Sequence, residues 1–269
     1  MTKKIVIENF VLDGGLPIFL AKPETIRTNR PAVILVHERY GFVRHTKNLA
    51  KHLAKDGYVC AAPDCFFLAP NKQLLHEGRE RYDIDDNEAF KYLSISLDFL
   101  KECKYVDNER IAVKGVCQTG RFPLVLASRR KIAAALLWYG SAQEQQWEQN
   151  KLFPKPLDRL IGEIDCPVLG MFGEADHIIS IDNVRRLRNS LERHKKSYQI
   201  HVYKNAPHGW LNDTMPGRYR QTTAEIALLD QKKFLNWVFS SERNHNDISW
   251  RFSCDSNRFY NFSKNLRQE

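Results

Sequence analysis

Short apolar segments alternate with amphipathic helical segments along nearly the whole chain. Pro31–His37, Tyr58–Ala62 and Ala133–Tyr139 are almost continuously apolar, which is typical of strands that are buried on both faces. Between such runs, Arg44–Lys55 and Ile84–Glu102 carry apolar residues at helical spacing. This repeated order predicts an α/β fold, with a mostly parallel central sheet and helices on both of its faces.

The chain length fits one large domain. With 269 residues, 43% of them hydrophobic, the chain can bury a sizeable core. We expect a single α/β domain over residues 1–240 and a C-terminal tail, residues 241–269, packed on or near it. No apolar run reaches the ~18–20 residues that span a bilayer, and the first residues lack a signal-peptide pattern. We therefore expect a cytoplasmic protein with no membrane partner.

The net charge of +9 raises the question of an anionic partner. The basic residues are scattered, and the densest stretch, residues 185–196, has the apolar spacing of a helix with a solvated basic face. No nucleic-acid-binding motif accompanies it, so we expect no nucleic-acid partner. The six cysteines form no CxxC pair and no metal-ligand spacing. We expect reduced thiols, no metal and no cofactor.

One cysteine stands where a strand runs into a helix. The strand-like residues 111–116 lead directly into Cys117, and Gly115 lies two residues before it. A nucleophile on a sharp strand-to-helix turn needs small neighbours, because strand and helix approach closely there. The helix N-terminus would also favour a thiolate. No Gly-x-Ser-x-Gly occurs in the sequence, so Cys117 is the candidate nucleophile, the alternative being a buried structural cysteine.

A base and an orienting carboxylate follow in the order expected for such a nucleophile. His208 comes shortly after the last predicted strand of the domain, Tyr198–Tyr203, and Asp176 follows the strand that ends at Phe172. The carboxyl ends of parallel strands meet at one edge of a sheet. We therefore predict that Asp176 orients His208 and that His208 takes the proton of Cys117.

The loop after the strand Pro31–His37 supplies the remaining candidates. In a fold of this kind, one oxyanion-hole amide comes from this loop and the other from the residue after the nucleophile. The candidate donors are therefore the backbone N–H groups of Arg39 and Gln118. Glu38 places a carboxylate at the mouth of a buried strand, where it needs a partner or else simply faces solvent.

Taken together, these motifs resemble one family of enzymes. HERYG at 37–41, AAPD at 61–64, GVCQTG at 115–120, GEAD at 173–176 and HGWLNDT at 208–214 are similar, in order and spacing, to the dienelactone hydrolase family. The resemblance covers almost the full chain.

The resemblance implies an α/β-hydrolase fold and the opening of esters or lactones, as in carboxymethylenebutenolidase chemistry. It implies Cys117 as nucleophile, His208 as general base and then acid, and Asp176 as the orienting carboxylate. Glu38 corresponds to a glutamate that, in the family, contacts the resting cysteine and helps to activate it.

Two positions depart from the family pattern. Thr119 replaces a glycine two residues after the nucleophile, and we expect it to crowd the turn. Asn212 stands where well-known members carry an arginine that binds the substrate carboxylate. The candidate substrate-binding residues are Arg79, Arg81, Arg121, Tyr40 and Trp210.

The predicted function is therefore hydrolysis of a small-molecule ester or lactone, anionic if one of these arginines binds it, by a monomer or homodimer. Two alternatives remain open at this point. One is a cysteine-dependent thioesterase or peptidase on the same fold. The other is a degenerate, non-catalytic homologue that binds an anion.

Overall fold

A single sheet forms the centre of the molecule. The computed structural model describes residues 4–240 and 247–254. Numbered along the chain, the strands are β1 Ile5–Leu12, β2 Leu16–Pro23, β3 Arg30–Val36, β4 Val59–Pro63, β5 Val106–Val116, β6 Ala134–Trp138, β7 Val168–Ala175, β8 Tyr198–Pro207 and β9 Trp250–Cys254. Their order in the sheet is β1-β2-β4-β3-β5-β6-β7-β8-β9. The pairs β1/β2 and β2/β4 are antiparallel and all the others are parallel, which confirms the predicted mostly parallel sheet.

Helices cover both faces of this sheet, as predicted. They are α1 Arg44–Asp56, α2 Lys72–His76, α3 Asp86–Glu102, α4 Phe122–Ala127, α5 Leu157–Glu163, α6 Ile181–Arg193 and α7 Gln221–Val238. Apolar residues of α1 and α7 form a core with one face of the sheet. Those of α3, α4, α5 and α6 form a second core with the other face. The central strands are therefore buried on both sides, which explains their continuous apolar runs.

Local sequence signals set several helix ends. The side chain of Asp85 accepts hydrogen bonds from the N–H groups of Asn87 and Glu88, both at 2.9 Å, and so caps the start of α3. The acidic residues in the first turn, Asp86 and Glu88, complement the helix dipole there. Gly57 ends α1 in the left-handed region at φ 105°, which costs glycine little.

The predicted helix at residues 118–128 has a different beginning. A 3-10 turn, Cys117–Arg121, precedes α4. The sequence patterns also did not predict α2 and α5, which are only five and seven residues long.

Part of the expected tail, residues 241–269, lies within the described residues. There, β9 extends the sheet by pairing with β8, from Tyr198↔Trp250 to Val202↔Cys254. The indole N–H of Trp250 donates to the carbonyl of Lys196 at 2.9 Å. Residues 241–246 and 255–269 lie outside the described part of the chain.

The strand lengths place the candidate residues at one edge of the sheet. β7 runs on to Ala175 and β8 to Pro207, so Asp176 and His208 each follow a strand directly. Cys117 follows β5 in the same way, and Glu38 comes shortly after β3. No helix in the described ranges is long and apolar enough to cross a membrane.

Candidate active site

Cys117 occupies a strained turn between β5 and α4. Its φ of 58° lies in the left-handed region, which is uncommon for a residue with a side chain and is typical of functional sites. Close approaches surround it. A Cβ at Gly115 would lie 2.2 Å from the carbonyl oxygen of Thr119, and a Cβ at Gly120 would lie 2.4 Å from Cα of Gly140. The glycine that the tight turn requires after the nucleophile is thus Gly120.

This arrangement corrects the expectation that Thr119 crowds the turn. The Thr119 side chain is fully buried, and its hydroxyl lies 2.8 Å from the carbonyl oxygen of His37. It fits because the close contact with the segment after β6 is made one residue later, at Gly120.

Three of the candidate side chains form one chain of contacts. The Sγ of Cys117 lies 3.1 Å from Nε2 of His208. Nδ1 of the same ring donates to Oδ2 of Asp176 at 2.8 Å. The other carboxylate oxygen of Asp176 accepts from the N–H groups of Ile178 and Ile179, at 2.8 and 3.0 Å. The carboxylate is thereby fixed, and it holds the imidazole with Nε2 facing the sulfur.

The electrostatics of this chain favour a charged imidazole. His208 and Asp176 are 3% and 1% exposed. Burial alone would lower the pKa of His208, but the Asp176 carboxylate and the sulfur of Cys117 raise it well above its usual range. A cationic ring beside a sulfur stabilises the thiolate.

Glu38 does not take the cysteine contact that the family resemblance implied. Its Oε1 accepts a 2.8 Å hydrogen bond from the hydroxyl of Tyr139, and its Oε2 accepts one from the amide of Asn212. The Oδ1 of Asn212 accepts from the N–H and hydroxyl of Thr214, which orients its amide N–H₂ toward Glu38. Since Glu38 is 3% exposed, these two donors satisfy a buried carboxylate.

The side chains of the two candidate oxyanion residues form hydrogen bonds with one surface segment. We define residues 77–83 as the rim segment. Arg39 donates to the carbonyl of Gly78 at 3.1 Å. Gln118 donates to the carbonyl of Tyr82 at 2.7 Å and to Asp83 at 2.9 Å. The rim segment therefore lies beside the turn that carries Cys117.

Three candidate substrate-binding residues lie at this rim. Arg79 and Arg81 belong to the rim segment, and the ring of Tyr40 packs against Gly78. Arg81 is half exposed and pairs with Asp83, the same carboxylate that Gln118 contacts. Arg79 is more exposed and pairs with Glu77. Burial raises the pKa of Tyr40, and the charge of Glu38 adds to the increase.

Two other candidates lie in the interior instead, and we correct them. Arg121 is fully buried, and its guanidinium binds Asp86 through two hydrogen bonds of 2.9 and 2.8 Å. Trp210 is also fully buried and packs against Trp138, with ring centroids 5.5 Å apart. Neither side chain reaches solvent, so neither can contact a substrate in this conformation.

Comparison of the whole sequence with models of known protein families gives a match. The model of the dienelactone hydrolase family matches residues 16–239. The chain belongs to the dienelactone hydrolase family.

Curated relatives agree with this membership of the dienelactone hydrolase family. A Yersinia pestis protein that carries the name carboxymethylenebutenolidase is 27% identical over 229 residues, which are 82% of this chain and 82% of that protein. A Bradyrhizobium protein named as a lactonase of 2-oxo-3-(5-oxofuran-2-ylidene)propanoate is 25% identical, over 84% of this chain and 90% of that protein.

Solved structures share the fold of this dienelactone hydrolase family member. A Klebsiella pneumoniae protein described as a dienelactone hydrolase superposes with a TM-score of 0.77 at 23% identity, covering 86% of this chain and 98% of its own. P91, a dienelactone hydrolase-like promiscuous phosphotriesterase from metagenomic libraries, gives 0.71 at 18% identity, covering 88% and 99%. These likenesses confirm the α/β-hydrolase fold.

Four other cysteines differ from Cys117 in their surroundings. Burial raises the pKa of the thiols of Cys60, Cys65 and Cys103, and that of Cys166 to about 12. Each of the four thiols is therefore kept protonated near neutral pH. Among the described residues, no group of three or more His, Cys, Asp or Glu side chains is arranged to hold a metal ion.

Sequence reasoning missed the partners of Glu38. The sequence patterns place Tyr139 only at the end of an apolar strand, and they mark Asn212 only as the position where an arginine is missing. The available signal was Glu38 itself, because a carboxylate at the end of a buried strand requires donors.

Proposed function

We propose that this member of the dienelactone hydrolase family hydrolyses small-molecule esters or lactones with Cys117 as the nucleophile. The observation that carries the proposal is the contact chain from the Cys117 sulfur through His208 to Asp176, on a turn of the strained kind that exposes a nucleophile. Family membership adds support, since the relatives are named for lactone-opening enzymes.

The first half-reaction forms an acyl-enzyme. The Cys117 thiolate attacks the carbonyl carbon, and the negative charge moves onto the carbonyl oxygen. The N–H of Gln118, in the first turn of the 3-10 segment, has no partner within the helix and donates to this oxygen together with the N–H of Arg39. As the tetrahedral intermediate collapses, His208 gives its proton to the leaving alkoxide, and a thioester remains on Cys117.

The second half-reaction releases the acid. His208 is now neutral and takes a proton from a water molecule that attacks the thioester. The intermediate expels the Cys117 thiolate, and the imidazolium is restored. The net reaction consumes one water and yields a carboxylic acid and an alcohol, or one hydroxy acid from a lactone.

The rim segment supports an anionic substrate within this class. Arg81 shares the Asp83 carboxylate with the side chain of Gln118, so Asp83 links its guanidinium to the residue whose backbone N–H is a proposed oxyanion donor. An incoming carboxylate can replace Asp83 as the partner of Arg81. The net charge of +9 would also attract anions.

The decisive experiment removes the sulfur. We expect Cys117→Ala to abolish hydrolysis of p-nitrophenyl acetate and of dihydrocoumarin, a lactone, while the far-UV circular dichroism stays that of the wild type. The matched control is Cys103→Ala, which removes a thiol near the start of β5, at the opposite end of this strand from Cys117, and should keep full activity. Undiminished turnover by Cys117→Ala would refute the proposal.

A substrate panel then separates the enzyme classes. Thioesters and a peptide p-nitroanilide are offered beside the two oxygen esters, at equal concentrations. We expect the highest kcat/KM for an oxygen ester or a lactone. A thioester or a peptide turned over faster by Cys117 would assign a different class to the same site.

A further inference from the structure

The strands β3 and β5 run side by side into the two loops that carry the proposed oxyanion donors. Their last paired residues are Val36↔Gly115. Beyond this rung the chains separate. His37 leads to the loop of Arg39, and Val116 leads to the turn of Cys117 and Gln118. The spacing of the two amides therefore depends on what holds the strands together just past the last rung.

The Thr119 hydroxyl lies at this position. Its Oγ1 accepts a hydrogen bond from the N–H of Val116 at 3.1 Å and lies 2.8 Å from the carbonyl oxygen of His37. The carbonyl of Val116 is a second, longer acceptor at 3.1 Å. Because a hydroxyl has one proton, the shorter contact favours donation to His37, and the hydroxyl then bridges the next two residues of the strand pair.

Hydrogen bonds hold the loop after β3, so that a displacement at His37 is passed on to Arg39. The Nδ1 of His37 donates to the carbonyl of Glu38 at 2.8 Å, and burial lowers the pKa of the His37 ring, so the neutral ring keeps its proton on Nδ1. The carboxylate of Glu38 is held in turn by Tyr139 and Asn212. A shift of the His37 carbonyl would therefore move the backbone of Arg39.

We propose that Thr119 is a positioning residue: its hydroxyl fixes the distance between the N–H groups of Arg39 and Gln118, and so sets the rate of acyl transfer at Cys117. This inference rests on the proposed function, because the two amides matter only if an oxyanion forms between them. Thr119 does not contact the reacting atoms. Its effect passes through the backbone of His37 and Val116, which are both buried.

The test compares removal of the hydroxyl with its retention. Thr119→Val replaces the hydroxyl by a methyl group at nearly the same volume, whereas Thr119→Ser keeps the hydroxyl. Two rates are measured for each variant: the kcat and KM for p-nitrophenyl acetate, and the rate at which iodoacetamide alkylates Cys117. Alkylation requires the thiolate but forms no oxyanion, so it reports on the Cys117–His208 pair alone.

We expect Thr119→Val to lower kcat by about 10- to 100-fold, less than the full loss of an oxyanion donor. The KM and the alkylation rate should each stay within about threefold of the wild type, and Thr119→Ser should recover kcat to within about threefold. If Thr119→Val does not fold, Thr119→Ala takes its place, with the same expectations.

Three results would overturn the inference. One is a wild-type kcat in the variant without the hydroxyl. Another is a Thr119→Ser variant as slow as Thr119→Val. The third is an alkylation rate that falls in parallel with kcat, which would mean that the whole turn has collapsed. Failure of the proposed function is seen separately, as activity that survives in Cys117→Ala.

Discussion

The charged side chains at the two ends of the strands of the central sheet differ in how deeply they are buried. At the carboxyl edge, Glu38, Asp176 and His208 are nearly inaccessible to solvent. Each is held by hydrogen bonds from elements that are distant in sequence, such as the bond from Asn212 to Glu38. Such buried, bonded charges are costly to assemble and are typical of functional sites.

At the amino edge, where β5, β6 and β7 begin, a groove of about 1020 Å³ opens to solvent. Its ion pairs lie on the surface. Lys131 and Glu109 are 81% and 73% exposed, and Arg130 bonds Asp98 of α3. Pairs of this kind contribute little to stability. The proposed chemistry therefore lies with the strained turn and the buried charges beside it, and not with the large groove.

Among the variants that test this comparison, His208→Gln should cause the largest loss of kcat. Glutamine cannot cycle a proton between Cys117, the leaving group and water. Loss of a general acid–base typically lowers kcat by about 10²- to 10⁴-fold, and we expect a loss in this range for p-nitrophenyl acetate. Circular dichroism should stay unchanged. Activity within about threefold of the wild type would break the assignment of the carboxyl edge.

A second test replaces the hydrogen-bond donor to Glu38 by a carboxylate. Asn212→Asp sets two buried carboxylates against each other, and we expect it to lower the free energy of unfolding by about 2–4 kcal/mol at neutral pH. Urea denaturation monitored by tryptophan fluorescence measures the change.

The double variant Glu38→Gln/Asn212→Asp restores a donor–acceptor pair with the polarity reversed. It should recover at least half of the lost stability. A double variant less stable than Asn212→Asp would show that the two side chains do not interact in the way described.

A third test asks whether burial of a charge is by itself a sign of function. Lys114 is fully buried in the middle of β5. It donates to Gln231 of α7 at 2.9 Å and lies 3.6 Å from the centre of the Trp138 ring. Burial lowers its pKa to about 7, against ~10.4 in an unfolded chain. Folding therefore destabilises the protonated form.

It follows that Lys114→Met should be more stable than the wild type below about pH 7. Between about pH 7 and 10 the wild type should regain stability relative to the variant, by up to ~1.4 kcal/mol per pH unit, as its unfolded state alone binds the proton. Denaturation at several pH values measures the difference, and kcat should change little. A large loss of kcat with an intact fold would extend the functional region beyond the carboxyl edge.

The smallest effect is expected at the amino edge. Arg130→Ala breaks an exposed ion pair with Asp98 and should change the free energy of unfolding by less than about 1 kcal/mol. The kcat should stay that of the wild type, because the groove lies at the far end of the strands. A clear loss of activity would show that the large groove takes part in the reaction.

The sequence was sufficient to predict the central part of the fold. Strands that are buried on both faces, such as β3 and β6, must be apolar throughout, and amphipathic helices such as α1 must show their period. Strand β9 was not predicted, because it is short and its residues Trp250 and Arg251 are exposed, so it has no apolar run.

The site was only partly predictable. Motif order indicated Cys117, His208 and Asp176, since each follows a strand at one edge of a parallel sheet. The bridge made by Thr119 could not be predicted, because it depends on the register of β3 against β5. Arg121 and Trp210 were expected to bind the substrate, but their side chains are buried, because a residue next to a site in sequence can still point into the core.

The measurement that tests the central claim most directly is the pH dependence of cysteine alkylation, read by peptide mass spectrometry. The account predicts that iodoacetamide labels Cys117 at neutral pH, because the cationic ring of His208 stabilises the thiolate. It also predicts that His208→Gln removes this reactivity and that Cys60, Cys65, Cys103 and Cys166 stay unlabelled. If Cys117 reacted only at alkaline pH, and equally well without His208, the thiolate–imidazolium pair would be contradicted.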